Sequence, residues 1–274
     1  MKKILLPLLT ILLFTACQKQ ISPDKVSEEI AGAATNKQAK ITVCHYDVIT
    51  GTSKTIEVTQ NALSGHLAHG DLQGECSAVL TTICDQDWMV KNMDVTTYRN
   101  GDPIPQVTDP EVWHELTTGA WCYYNNDPSN GAIYGKLYNW YAVNDPRGLT
   151  PIGWHVPSHA EWFTLSNCLE YNLAGGKMKT TGTIEAETGL WYDPNTGATN
   201  SSGFTGLPAG VRFDIETVHG QFQTIGRAGI WWSSTEYESD NNFAYEDQVL
   251  YSRSSLDWDI FKKTNGFSVR CVRN

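Results

Sequence analysis

The chain has 274 residues, 41% of them hydrophobic, with 30 acidic against 20 basic residues and a formal net charge of −10. That length supports one sizeable core plus something smaller. The acidic balance excludes nucleic-acid binding, which needs a basic footprint against phosphate, and ten Trp, twelve Tyr and 23 Gly mark a chain that buries large rings and turns often.

The chain opens MKKILLPLLTILLFTAC, in which Lys2 and Lys3 precede an apolar run from Ile4 to Phe14. The run is shorter than the roughly 20 residues a membrane span needs and suits a signal peptide. LFTAC has the form of a lipobox, so residues 1–16 are expected to be removed and Cys17 acylated. Several acyl chains then hold the protein, because each buried methylene contributes about 0.8 kcal/mol. Loss of Lys2 and Lys3 from the 20 basic residues leaves 18 against 30 acidic ones. Gln18 and Lys19 partly resemble the surface-export signal of Bacteroidetes lipoproteins, although the acidic residues that come next in that signal are missing. Residues 17–40 carry almost no large apolar group and cannot offset their ordering entropy by burial, so they are expected to be a flexible tether. The localisation implied is the cell envelope, lipid-anchored to the outer membrane, with surface display as a further expectation.

Residues 41–78 read as a small Cys/His module. Alternation in ITVCHYDV and SKTIEV predicts two strands joined around Thr50-Gly51. TQNALSGHLAHG predicts a short helix capped by Thr59 and stopped by Gly70. So small a unit needs a staple, and Cys44 with Cys76 is the natural pair, contributing roughly 3–4 kcal/mol by chain entropy. The block also resembles a small bacterial motif that opens Cys-His and closes HLxHGDxxGxC. His66 and His69 stand one helical turn apart, His45 adjoins Cys44, and Asp71 comes just after, which is a ligand set for a metal such as zinc. An oxidising compartment would pair the cysteines instead of leaving thiolates, so the disulfide with histidines hydrogen-bonding a tight turn is the preferred reading and the metal site its alternative.

Residues 79–274 read as a second domain. VLTTICDQDWMVKNM predicts two short strands about a turn at Asp85-Gln86, and RNGDPIP supplies turn residues. DPEVWHELTTGAW predicts a short helix from Asp109 with Pro110 at its first position. HELTT begins like the zinc-protease motif, but Thr118 stands where the second His would be. Tyr134, Leu137, Tyr138, Trp140 and Tyr141 recur at helical spacing and read as a core-facing stripe. In GWHVPSHAEW, Ser158 and Glu161 form a capping box, and the helix after it should bury Trp162, Leu165 and Leu169. His155 and His159 flank that cap and are read as bracing it. Beyond Ala174 the chain is rich in Gly and Thr, as long functional loops are. WWSST, YEDQVLYS and GFSVRCVR read as closing strands. Glu236, Glu238 and Asp240 recur at period two and would share one face if extended, either as a calcium-binding loop mouth or as a solvated edge.

DQDWMVKNMDVTTYRNGDPIP, YNNDPSNGAIYGKLYNWYAV, GWHVPSHAEW, AGGKMK, GATNSSGFTGLPAG, WWSST and GFSVRCVR occur in order, and with them the run from about Val79 to Asn274 resembles the Fibrobacter succinogenes major paralogous domain. The resemblance implies an α+β, C-type-lectin-like fold of the branch that includes formylglycine-generating enzyme, with mixed short strands, two helices and long loops. Catalysis in that branch uses a cysteine pair near the C-terminus, whereas Cys271 stands alone in the last hundred residues, so no enzyme is expected. No GxSxG, P-loop or complete HExxH supports a hydrolase either. After Cys17 six cysteines remain, which allow fifteen connectivities. Beyond Cys44–Cys76, the family blocks favour Cys122–Cys271 and leave Cys84–Cys168. By analogy with related lectin-like domains, a ligand surface is expected among Tyr237, Asp240, Asn242, Tyr245, Tyr251 and Trp258, which join aromatic faces to hydrogen-bonding groups. The expected function is a binding module for a glycan or protein at the envelope, with a structural or adhesive component as the alternative. No cofactor is required, and calcium is the one admitted.

Overall fold

The computed structural model describes residues 39–274 apart from Glu216 and the side chain of Val218. The expected signal, the expected acylation site Cys17 and all but the end of the expected tether lie outside the described residues. Among the described residues no helix is long and apolar enough to cross a membrane.

Strand β1 (Lys40–Asp47) pairs with β2 (Thr52–Thr59) in unbroken antiparallel register from Lys40↔Thr59 to Asp47↔Thr52. The reversal is local chemistry. The Asp47 carboxylate accepts from the amides of Ile49 and Thr50 at 2.9 and 3.2 Å, and Gly51 supplies φ +67°. Helix α1 (Gln60–Ala68) starts after Thr59, whose side chain makes no capping bond. Strand β3 (Leu72–Gln73) adds to the other edge of β1, and the Cys44–Cys76 disulfide ties β1 to α2 (Cys76–Val79). Side chains bond this module to the larger part of the chain. Trp154 donates its indole N–H to Gly70 O at 3.0 Å, and the Arg273 guanidinium lies over the Tyr46 and Trp154 rings. Residues 39–274 form one compact unit.

Strands β4 (Leu80–Ile83) and β5 (Gln86–Met89) make a hairpin. Its turn residues are Cys84 and Asp85, at φ 54° and 66°, one position earlier than expected. Two-residue hairpin loops use positive φ because it matches the strand twist. In α3 (Pro110–His114) the Asp109 carboxylate accepts from Glu111 and Val112 amides, with Pro110 at the first helical position. Next come β6 (Trp121–Cys122), α4 (Pro128–Tyr134), β7 (Leu137–Tyr138) and α5 (Trp140–Val143). The tyrosine stripe is therefore not one helix. Gly135 breaks it at φ +78°, and Leu137–Tyr138 pairs with Trp121–Cys122. Strand pairing overrides the periodicity, although Tyr134, Leu137, Tyr138 and Trp140 are buried as a core stripe would be.

Strand β8 (Trp154–His155) leads to α6 (His159–Cys168), where the Ser158–Glu161 capping box is complete and Trp162, Leu165 and Leu169 are buried. Helix α7 (Tyr171–Met178) comes at once after it. A hairpin that the sequence pattern does not predict, β9 (Val211–Ile215) with β10 (Val218–Gln223), precedes the sheet β11 (Ala228–Glu236), β12 (Phe243–Leu250), β13 (Asp257–Lys262). Strand β14 (Val272–Arg273) inserts between β5 and β8, so the end of the chain closes the sheet β4-β5-β14-β8. The fold is α+β, with small antiparallel sheets and helices.

Sheet β11-β12-β13 divides the core, because alternate residues face opposite ways. Trp232 and Ala244 join one apolar cluster with Trp121, Tyr138 and Phe267. Trp231 and Val249 join another with Trp88, Trp162, Trp191 and Phe204. GFSVRCVR is not the long strand that its alternation predicts. Only Val272–Arg273 is a strand, while Gly266, Phe267 and Ser268 form single bridges to Arg212, Tyr138 and Trp231. The segment threads between the sheets. Phe267, Val269 and Cys271 enter the first cluster, and the buried Arg270 donates to the carbonyls of Met89 and Phe204 at 2.8 and 2.6 Å.

The cysteine pairing departs from expectation in one place. Cys84–Cys168 forms, joining the β4–β5 turn to the end of α6, but Cys122 and Cys271 are free. They are buried in different apolar clusters, Cys122 with Trp113 and Leu137, Cys271 with Phe267 and Val269. Desolvation pushes their thiols up to about 11 and about 12.

Candidate functional site

Nine of the ten tryptophans are buried; Trp258 alone is exposed, at 49%. It sits on β13, where register pairs it with Asp247 of β12. The neighbouring rings are Tyr245, at 5.8 Å between centroids, and His159, edge-on at 5.1 Å. His159 stacks on Tyr245 at 4.4 Å, and Tyr237 meets Tyr245 edge-on at 5.7 Å. The capping box explains how His159 arrives there. Ser158 is the cap, so the next residue must project from the first turn of α6, and its amide is fixed by Thr235 Oγ1 at 3.0 Å.

Beneath the rings lies buried acid. Asp247 Oδ2 stands 3.7 Å from His159 Nδ1, and neither atom has a hydrogen-bond partner. Burial pushes the Asp247 carboxyl up to about 6, while His159 pulls it back down. Glu246 points to the opposite face, fully buried with both oxygens unpartnered. Desolvation, then the charges of Asp247, Asp259 and Asp257, raise it well above the usual carboxylate range. The site therefore offers ring faces for stacking above a buried carboxyl–imidazole contact.

The fold unites Tyr237, Tyr245 and Trp258 of the expected surface. Asp240 and Asn242 lie at the β11–β12 turn, where Asp240 Oδ1 accepts from the Asn242 amide and side chain at 2.9 and 2.8 Å. Tyr251 belongs elsewhere, against the second apolar cluster and near the Arg227 guanidinium. Sequence reasoning does not find His159 or Asp247 as members of this surface. The capping box is the available signal for His159, whereas Asp247 looks like any acid in a half-buried strand. The period-two acidic face does not form, because β11 ends at Glu236 and that carboxylate pairs with Lys263.

Three other histidine groups make polar contacts. His114 of the half-motif HELTT reaches Asp214 at 2.9 Å and stacks on His219 at 3.8 Å. His155 bridges Glu161 and Asn274 at 2.8 and 2.7 Å, bracing the cap as expected. In the small module, Asp71 Oδ2 lies 2.8 Å from His45 Nδ1 and 2.7 Å from His66 Nδ1, and His69 Nδ1 is 3.7 Å from Oδ1. Those four residues could hold a metal. A polar cleft of 710 Å³ also runs along the seam between this module and the rest, lined by Tyr46, Ser53, Thr81, Gln86 and Asp87 and crossed by Arg273.

A family model described as the Fibrobacter succinogenes major domain matches residues 81–273. No curated protein and no solved structure matches the chain.

Proposed function

This chain belongs to the Fibrobacter succinogenes major domain family, and on that premise we propose that it is a non-enzymatic carbohydrate-binding module, held at the outer membrane through Cys17. The carrying observation is Trp258, the one tryptophan left half-exposed in a chain that buries the other nine. Aromatic faces stack on the C–H faces of sugar rings, and Tyr245, Tyr237 and His159 extend the platform. Beneath the platform, Asp247 and the facing edge of His159 are buried. A C-type-lectin-like architecture fits two consecutive helices packed beside β11 and β12, with the site carried at sheet ends and loops. The non-enzymatic reading rests on Cys271. Its thiol is buried and pushed up to about 12, far from the low values that make a cysteine nucleophilic.

The test is a glycan screen with residues 39–274. Saturable binding is expected, and Trp258→Ala should weaken it at least about 30-fold, the roughly 2 kcal/mol of an aromatic hot spot. Tyr251→Ala, on another cluster, should leave it unchanged. No binding to any glycan would sink the reading and leave a structural or adhesive envelope component in its place.

A further inference from the structure

We infer that His45, His66, His69 and Asp71 form a closed binding site for one divalent transition-metal ion of the zinc type, on the small module and apart from the aromatic surface. One ligand atom from each residue lies within 4.8 Å of all the others. A tetrahedral ion with bonds of about 2.0–2.1 Å spaces its ligand atoms roughly 3.4 Å apart, so side-chain adjustments of about an ångström or less complete the shell.

The donors come from three places: His45 from β1, His66 from the last turn of α1, and His69 and Asp71 from the turn at its exit. Their Nδ1 atoms converge on one carboxylate, whose side chain is fully buried and whose Oδ1 also accepts from the Tyr46 amide at 2.9 Å. Two imidazoles already satisfy Oδ2. The third, His69, stands too far from Oδ1 for a hydrogen bond, yet within reach of a shared ion. Three imidazoles around one acid exceed what a turn needs for bracing.

Helix α1 gives an independent reason. It is nine residues long, buries no residue and has no side-chain cap. Isolated helices of this length are marginal in water, so its position depends on the contacts that grip its end, and the histidine–carboxylate knot is at that end. The frame is rigid. Cys44, beside His45, is in the disulfide to Cys76. Gly70 has φ +96° and lies so close to the main body that a Cβ would stand 2.2 Å from Ile152 O. With the sulfur committed, the ligands are nitrogen and oxygen only, a set that suits zinc and survives an oxidising compartment. Four protein ligands with no open position are the structural kind of site. The ion would clamp β1 to the end of α1.

The full chain, stripped with chelator and dialysed, is to be titrated with zinc against a chromogenic competitor, and separately with cobalt. One equivalent of zinc and the intense ligand-field spectrum of tetrahedral cobalt are expected. His66→Gln should weaken zinc by more than the 10–100-fold that loss of an outer-shell partner brings. His69→Gln provides the second variant, since that ring is 54% exposed and makes no short bond, so the fold is retained. It too should weaken zinc and abolish the cobalt spectrum, while His155→Gln, outside the module, changes neither. Absence of stoichiometric zinc, a weak octahedral cobalt spectrum, or wild-type affinity in both His66→Gln and His69→Gln would overturn the inference and leave Asp71 as a hydrogen-bond hub.

Discussion

At the scale of single residues, the adjacent acids of β12 show how burial sets charge. Asp247 titrates near 6 in place of 3.8, so the folded chain holds this proton more tightly than the unfolded chain. Its stabilising contribution is fully present below pH 3.8 and is lost as pH rises through about 6. Asp247→Asn removes that dependence. At pH 7.5 the variant is expected to be more stable than the parent by up to about 3 kcal/mol, from 1.36 kcal/mol per pKa unit, and the difference should close towards pH 4. Urea unfolding across this range measures it; a difference independent of pH would mean that Asp247 titrates normally. Buried cations obey a different rule. Lys179, Arg212 and Arg270 are solvated by main-chain carbonyls of separate segments, as where Lys179 Nζ donates to Thr196, Leu250 and Arg253 oxygens at 2.8–2.9 Å. Each satisfies several carbonyls that would otherwise be buried without partners.

At the scale of elements, packing explains why α7 holds two adjacent glycines, Gly175 and Gly176. A Cβ on Gly175 would stand 2.0 Å from Ser255 O, and one on Gly176 would stand 2.4 Å from Gly197 O. Loop backbone lies directly on the helix, so only hydrogen fits. Gly175→Ala is expected to destabilise by about 1–3 kcal/mol or more through overpacking. In α1, where nothing lies within 4 Å of a Cβ on Gly65, the same change should stabilise by about 0.5–1 kcal/mol. Thermal unfolding of the two variants separates a glycine required for packing from one that is not. The capping box of α6 is legible in the sequence because it is local: Ser158 and Glu161 are three residues apart and need no distant partner. The tyrosine stripe misleads because its period is also met by two short helices flanking a strand, and the choice between the two is made by β6.

Across the whole molecule, closure is by cross-links and by returning chain. Disulfides span separations of 32 and 84 residues, and loss of either should lower stability by about 2–5 kcal/mol. Cys122 and Cys271 lie in separate clusters with thiols pushed up to about 11 and about 12. Neither should react with iodoacetamide in the native protein at pH 8, and both should react after unfolding without reductant. Peptide mapping reads this directly; a cross-linked peptide joining them would show that they pair in solution. Strand β14 lies between β5 and β8, so Arg270, Cys271 and Val272 are core of the domain, and Arg273 reaches back to Ser53 in the small module.

By itself the sequence determined the features that depend on neighbours along the chain: the β1–β2 hairpin, the caps at Asp109 and Ser158, the Cys44–Cys76 staple within a short module, and the ordered motifs that place residues 81–273 in their family. It also put His45, His66, His69 and Asp71 on one short list, since three of them share a single helical turn and its exit. Only the tertiary structure decided which tryptophan stays exposed, that His159 covers Tyr245, and that Cys122 and Cys271 remain apart. The reason is range. A cap or a hairpin is chosen by backbone dihedrals a few residues long. Exposure of a ring or pairing of distant thiols is chosen by how whole layers stack, and alternation along β12 says that two faces exist without saying which apolar cluster will cover each.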